Sequence, residues 1–334
     1  MSASDKEEDA QENVEQNEEE NPDLTINDII IVDPDTSELD LNHGRIGKLQ
    51  NLEPLNCIER LYLRWNLIKK IENLNTLKTL KELELYDNQI TVIENLSELV
   101  NLEYVLDIVF VIDFTGVYFR ILDLSFNRIK KIEGLSKLKK LEKLYVSSNK
   151  IVKIENLDNL TNLTLLELGD NKIRVIENLE KLTNLTQLYL GKNKITKIEN
   201  LDTLTNITCL SLQNNRIVTI ENLRALINVD QLYLSENGIT TIENLENNKL
   251  VTTLDLAKNR IKLIENVFHL EILEEFWLND NEVTDWNCIQ KLGELKNLST
   301  VYLERNPIAN DPAYRRKLKM MIPSLNQIDA TLCH

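Results

Sequence analysis

The chain copies itself. From residue 37 onward a unit of the form L-x-x-L-x-L-x-x-N-x-I-x-x-I-E-N-L recurs, usually every 22 residues. Its asparagines are Asn66, Asn88, Asn127, Asn149, Asn171, Asn193, Asn215, Asn237, Asn259, Asn281 and Asn306, and Gly44 holds that place in a degenerate first copy. A period of this size confines the chain to stacked supersecondary units. The L-x-L pair reads as a short strand with leucines on one side and its middle residue on the other. The later Ile and Leu positions turn the chain back into the same core. One unit cannot bury its apolar face alone, so neighbours must stack into a curved solenoid with a parallel sheet on the concave side. The buried asparagine can satisfy turn backbone that would otherwise lack partners.

This is the leucine-rich-repeat signature. It predicts an α/β solenoid, a right-handed horseshoe, over residues 37–306 with about twelve repeats. Residues 25–36 read as a linker or N-terminal cap, and residues 307–334 as a C-terminal cap. In the cap, Asp311 is a candidate helix N-cap with Pro312 at the first helical position. The helix should stop before Pro323, and Ile328 and Leu332 should fold back over the last leucines. Arg315, Arg316, Lys317 and Lys319 read as helix surface.

Residues 1–24 hold ten acids and one base, Lys6, so this leader carries much of the chain's net charge of −16. It has almost no large apolar residue and reads as a disordered, solubilising tail. The acidic balance argues against tight nucleic-acid binding, which needs Lys and Arg to displace counterions. No run of about 18 apolar residues suggests a membrane span. Cys57, Cys209, Cys288 and Cys333 lack metal or redox spacing. With no basic-then-apolar leader, they read as reduced thiols in a cytosolic or nuclear protein. The sequons at Asn95, Asn159, Asn162, Asn184, Asn206 and Asn297 read as by-products of the repeat.

One step breaks the register. Asn127 follows Asn88 by 39 residues, 17 more than the period. The extra segment, Tyr104 to Arg120, is apolar and holds five of the 18 aromatic residues. Removing it joins Leu102-Glu103 to Ile121-Leu122-Asp123-Leu124-Ser125-Phe126-Asn127, a regular repeat. Real insertions in solenoids usually sit in loops and are polar, whereas this one would expose a β-prone surface. The codons that can encode its two ends permit splice-donor-like and splice-acceptor-like strings, so it reads as a retained intron. A translated extra strand or hairpin is the competing reading, and sequencing the mature transcript decides between them.

The residue between the two strand leucines faces the concave side. In order these are Asp40, Tyr62, Glu84, Asp123, Tyr145, Glu167, Tyr189, Ser211, Tyr233, Asp255, Trp277 and Tyr302. Six are aromatic, five are acidic and none is basic. Exposed rings interleaved with carboxylates suit a protein partner bearing Arg or Lys. The bland reading is that stacked tyrosines brace one another. Catalysis finds no support: His43, His269 and His334 share no triad or metal spacing, and no phosphate loop occurs.

Several segments together resemble the regulatory subunit 7 family of type-1 serine/threonine protein phosphatase. They are the I-E-N-L repeats, Leu83-Glu84-Leu85-Tyr86-Asp87-Asn88, Phe276-Trp277-Leu278-Asn279-Asp280-Asn281, and Tyr302-Leu303-Glu304-Arg305-Asn306-Pro307 through Gln327-Ile328-Asp329-Ala330-Thr331. The resemblance runs over about residues 37–334 apart from the insert. It implies a non-catalytic regulator without cofactor or metal, acting in nucleus and cytoplasm, in mitosis and in phosphatase biogenesis. It implies binding of the phosphatase catalytic subunit through the concave face, in some cases with a second inhibitor in a ternary complex. The family's contact positions fall on Asp123, Tyr145, Glu167, Tyr189, Asp255, Glu275, Trp277 and Tyr302. Tyr145 and Tyr189 stand where relatives can carry Phe. No basic-x-Val/Ile-x-Phe/Trp docking peptide is present, in keeping with binding by a folded face. The other candidate functions are a scaffold of axonemal or spliceosomal type and an acidic histone-chaperone-like protein. No nucleic-acid or membrane partner is expected, and alone the chain is expected to be a monomer.

Overall fold

The computed structural model describes residues 27–80, 82–96, 121–139 and 141–333. The acidic leader and the 104–120 segment lie outside the described residues. Twelve three-residue strands carry one repeat each. They are β1 (Glu38–Asp40), β2 (Arg60–Tyr62), β3 (Glu82–Glu84), β4 (Ile121–Asp123), β5 (Lys143–Tyr145), β6 (Leu165–Glu167), β7 (Gln187–Tyr189), β8 (Cys209–Ser211), β9 (Gln231–Tyr233), β10 (Thr253–Asp255), β11 (Glu275–Trp277) and β12 (Thr300–Tyr302). They pair in parallel with their sequence neighbours within two sheets, one three-stranded (β1 to β3) and one eleven-stranded that runs from β4 through the cap; among the described residues β3 and β4 do not pair. The central residue of each of these strands points inward; Leu166, Leu188, Leu210, Leu232 and Phe276 are fully buried.

Helix is scarce. The outer returns are chains of tight turns, as in Leu182 N–H to Leu179 C=O and Leu185 N–H to Leu182 C=O, both 2.9 Å. A 22-residue unit leaves too few residues for a helix on its outer side. The exception is α1 (Trp286–Leu292), where the step from Asn281 to Asn306 stretches to 25 residues. Asp285 caps it by accepting the Asn287 N–H at 2.8 Å. The longer step and the Asp-Trp-Asn start were the visible signal for this helix.

Two asparagine ladders hold the turns in register. In the first, Asn171 Nδ2 donates to the carbonyls of Val146, Leu168 and Gly169, while its Oδ1 accepts the Ile151 N–H at 2.9 Å. Asn193 and Asn215 repeat this set one and two turns on. Each side chain thus satisfies backbone groups of two turns at once, and leaving such a buried group unpaired costs about 1–3 kcal/mol. The second ladder uses the asparagine of I-E-N-L. Asn178 Nδ2 donates to Ile154 C=O at 2.7 Å, and Asn200 to Ile176 C=O at 2.7 Å. These asparagines sit at positive φ, 58° and 60°, which Asn tolerates better than most residues. That explains why the motif carries Asn there, a role the spacing alone left unread.

The register break closes over itself. Asn127 Nδ2 reaches Leu85 C=O across 42 residues at 3.2 Å, where other turns span 25. Its Oδ1 accepts the Ile90 N–H across 37 residues at 3.0 Å, where other turns span 20. Both bonds are longer in sequence by the same 17 residues, yet both stay within hydrogen-bond distance. Gly134 stands in the second ladder at φ +73°, and a Cβ there would come within 2.4 Å of Ile93 O. Residues 82–96 and 121–139 therefore pack as consecutive turns.

The ends are closed differently from expectation in two places. At the N-terminus, Asn27 bridges to Ile46 and Ile29 is buried against the first turn. At the C-terminus, a 3-10 turn (Pro307–Asn310) leads to α2 (Tyr314–Met321). The helix starts at Tyr314 rather than Pro312. Asp311 accepts the Ala313 N–H at 2.8 Å and pairs with Lys317, forming a bend before the helix instead of its N-cap. Two short strands, β13 (Gln327–Ile328) and β14 (Thr331–Leu332), then extend the sheet. Ile328 is buried as expected, but Leu332 remains 59% exposed because β14 turns back antiparallel at the edge. Two of the basic residues of α2 tie down the cap: Arg315 donates to Ile328 C=O at 2.7 Å and Lys319 to Pro323 C=O at 3.0 Å, while Arg316 stays exposed.

Deleting residues 104–120 should leave the cooperative thermal transition intact, with a midpoint equal to or above that of the full chain. The Asn127 bonds that join the flanking turns are made by residues outside the segment. A midpoint lowered by more than about 5 °C, roughly 2 kcal/mol or more for a domain of this size, would show that the segment supports the solenoid.

Candidate functional site

The concave face is built by strand pairing. Register places Asp123 beside Tyr145, Tyr145 beside Glu167, and Glu167 beside Tyr189. Ser211, Tyr233, Asp255, Trp277 and Tyr302 continue the same row, strand by strand. From Asp123 to Trp277, large rings alternate strictly with small polar or acidic residues. Parallel strands lie about 4.8 Å apart, so each ring leans over its smaller neighbours. The sequence reading treats the whole row as pointing into solvent. Instead the small members are nearly covered: Ser211 and Asp255 are each 5% exposed and Asp123 6%. The tyrosines and Trp277 are half-buried.

The carboxylates also have a local duty. Asp123 Oδ1 accepts the Ser125 N–H at 2.7 Å, Glu167 Oε1 the Gly169 N–H at 2.7 Å, and Asp255 Oδ1 the Ala257 N–H at 3.0 Å. Each bond closes the turn that leaves the strand and aims the carboxylate along the face. Gly169 permits this at Glu167, because a Cβ there would lie 2.5 Å from Glu167 Oε1.

Crowding sets the electrostatics. Burial pushes the Glu167 carboxyl up to about 7, with the Asp123 charge adding and the Gly169 N–H opposing. Burial also raises the Asp255 carboxyl, against hydrogen bonds from Ser235 and Ala257. The phenols of Tyr145, Tyr189 and Tyr233 are raised by burial and by neighbouring acidic groups, so they remain donors. A cation laid along this row would relieve the penalty on the carboxylates.

The C-terminal end of the row is the most sculpted. Trp277 and Tyr302 meet edge to face at 5.6 Å, and Tyr302 Oη accepts from Gln327 Nε2 at 2.7 Å. Trp277 Nε1 is buried and makes no hydrogen bond among the described residues. These rings border an open cleft of about 320 Å³ that Glu236, Asp255 and Glu304 also line. Glu275 precedes Trp277 on the same strand and shares its face. The structure thus brings Asp123, Tyr145, Glu167, Tyr189, Asp255, Glu275, Trp277 and Tyr302 onto one surface.

A second concave row escaped the sequence reading, Glu275 apart. The first residue of each strand also faces this side by alternation, which adds Lys143, Leu165, Gln187, Cys209, Gln231, Thr253 and Thr300. The face is therefore not free of bases: Lys143 stands on it, and Arg60 pairs with Glu38 at 2.7 Å at its N-terminal end. The signal was available as the residue preceding each L-x-L. Among the described residues no cluster of His, Cys, Asp and Glu could hold a metal ion.

The repeat, the two ladders and the open concave face define a leucine-rich-repeat solenoid. The chain belongs to the leucine-rich-repeat family: models described as leucine-rich repeats match residues 120–159, 161–203 and 215–331. Among curated proteins it is similar to protein phosphatase 1 regulatory subunit 7 of Danio rerio, at 54% identity over 46 residues, and of Homo sapiens, at 52% over 46. Each match covers 14% of this chain and 13% of the relative's length. Among solved structures it is similar to an internalin of Listeria monocytogenes, with 23% identity, a TM-score of 0.67, and coverage of 89% of this chain and 87% of that one. A leucine-rich-repeat protein of Leptospira interrogans gives 21% identity, a TM-score of 0.66, and coverage of 85% and 75%. At these identities the two structures speak to the fold alone.

The raised Glu167 carboxyl carries a sign. The folded state holds its proton more tightly than the unfolded chain does, so stability falls as pH rises from about 4.5 through 7. Glu167→Gln should remove that loss. The variant should gain on wild type between pH 5 and pH 8, by up to about 3 kcal/mol in denaturant titrations. A difference that does not change with pH would contradict the assignment.

Proposed function

We propose that this chain is a non-catalytic regulatory subunit that binds the catalytic subunit of a type-1 serine/threonine protein phosphatase through its concave face. One observation carries the reading. Seven of the eight positions expected to make that contact lie in one strand-by-strand row that also holds Ser211 and Tyr233, and the eighth, Glu275, lies beside it on the same face, on a chain similar to proteins named as phosphatase regulatory subunits.

The chemistry of the row supports it. Rings held by a rigid sheet supply contact area at little entropic cost, and carboxylates under strain from burial gain most when a guanidinium or ammonium arrives. Trp277 and Tyr302 act as the anchor, with Glu275 and Asp255 as the charges beside it. Tyr145, Glu167 and Tyr189 extend the contact over the middle turns, and Asp123 ends it. An open sheet face has no means to exclude water, which suits binding rather than turnover. We extend the proposal to control of phosphatase activity and biogenesis in nucleus and cytoplasm, including mitosis, and to a ternary complex with a second inhibitor.

The test is a pull-down with the purified catalytic subunit. Trp277→Ala should weaken binding about 30-fold or more, as expected for truncation of a central interface aromatic, and Glu275→Ala should weaken it by a smaller factor. Unchanged binding in both variants would overturn the reading.

A further inference from the structure

The first four turns carry a feature that the proposed phosphatase contact does not use. The residue before each ladder position is held at positive φ, 56° at His43, 54° at Trp65, 50° at Asp87 and 56° at Phe126, and in the Asn88 turn the ring is Tyr86, one residue earlier. Bulky residues seldom adopt this conformation. The eight later turns place Ser148, Asp170, Lys192, Asn214, Glu236, Lys258, Asp280 or Arg305 there, all short or flexible polar side chains. The rings at this position are therefore not demanded by the turn. They are not demanded by the core either, since Trp65 is 41% exposed and Phe126 48%.

The rings touch one another in sequence. His43 stacks flat on Trp65 at 4.3 Å with planes 9° apart. Trp65 meets Tyr86 edge-on at 6.0 Å, and Tyr86 meets Phe126 at 5.1 Å. The last contact crosses the register break. The result is an unbroken aromatic stack over four turns, along the edge of the concave face.

Its surroundings are acidic. Asp40, Glu84 and Asp123 lie in the adjoining concave row and Asp87 within the aromatic row itself. Two bases of these turns are already engaged: Arg64 Nη2 donates to Glu84 Oε1 at 2.8 Å, and Arg60 pairs with Glu38. Faces of exposed rings beside carboxylates favour a cation that is flat and can stack, which describes a guanidinium better than an ammonium. One ring per turn, with turns spaced like strands at about 4.8 Å, suits an extended chain laid across the turns.

We propose that His43, Trp65, Tyr86 and Phe126 form a second protein-docking surface, which takes an extended, arginine-bearing segment of a partner. The proposal goes beyond the phosphatase reading and stands without it. Apart from Asp123, the residues of that reading lie on later turns.

A displayed library of random 12-residue peptides, panned on the full chain, tests it. Clones should emerge that are enriched in Arg over the input, bind the Trp277→Ala variant unchanged, and lose at least about tenfold in affinity for Trp65→Ser/Phe126→Ser. Serine occupies the same position in a later turn, and circular dichroism verifies that the double variant folds. Asp87→Lys, a residue type also found at this position in later turns, should weaken the same clones by a similar factor, and it decides the matter if the double variant is unfolded. The proposal is overturned if no clone depends on the stack. It is equally overturned if stack-dependent clones are enriched in proline or aliphatic residues rather than Arg, or if Asp87→Lys leaves their affinity unchanged.

Discussion

Everything in this molecule depends on asparagine bridging one turn to the next. A solenoid of short turns has many backbone groups that no helix and no wide sheet can satisfy. The first ladder supplies a donor and an acceptor from one side chain, so Asn171 ties the Val146 carbonyl and the Ile151 amide to its own turn. The second ladder does the same with a donor alone at the outer corner, as Asn178 does for Ile154. Leucine and isoleucine burial drives the stacking, but it is not directional. The asparagines decide that each turn sits one period from the last, and the concave rows inherit their alignment from that decision.

The same ladders explain how a chain with a 17-residue interruption keeps its register. Asn127 makes the bonds of its equivalents, only across a longer stretch of chain. Directional bonds that recur with fixed geometry will select the correct neighbour even when its separation in sequence changes. The Tyr86–Phe126 contact and the close approach of Gly134 to Ile93 follow from that selection.

Function is added on the faces the ladders leave free. On the concave side, alternation of rings with carboxylates buries charges that a neutral environment penalises. A partner's cation would find Glu167 and Asp255 poised to gain from it. At the C-terminal end, one acceptor makes the cap an integral part of the solenoid. Asp329 Oδ1 receives the Leu303 and Glu304 amides and the Tyr314 hydroxyl. It takes over where another turn would have stood, and it steadies the strand that carries Tyr302.

The sequence alone determined the solenoid, its core and the membership of the concave row. Leu, Ile and Asn recur at spacings that only stacked turns can use, and a period-2 strand assigns its faces without ambiguity. What lay beyond it were matters of proximity between residues a turn apart. The role of the I-E-N-L asparagine is a bond across 24 residues. The cover over Ser211 and Asp255 comes from rings on adjacent strands. The stack of His43, Trp65, Tyr86 and Phe126 exists because four turns bring those rings within contact. Spacing along a chain names the face a residue occupies, whereas burial, partner and charge state depend on what the neighbouring turns set beside it, and only the tertiary structure decides that.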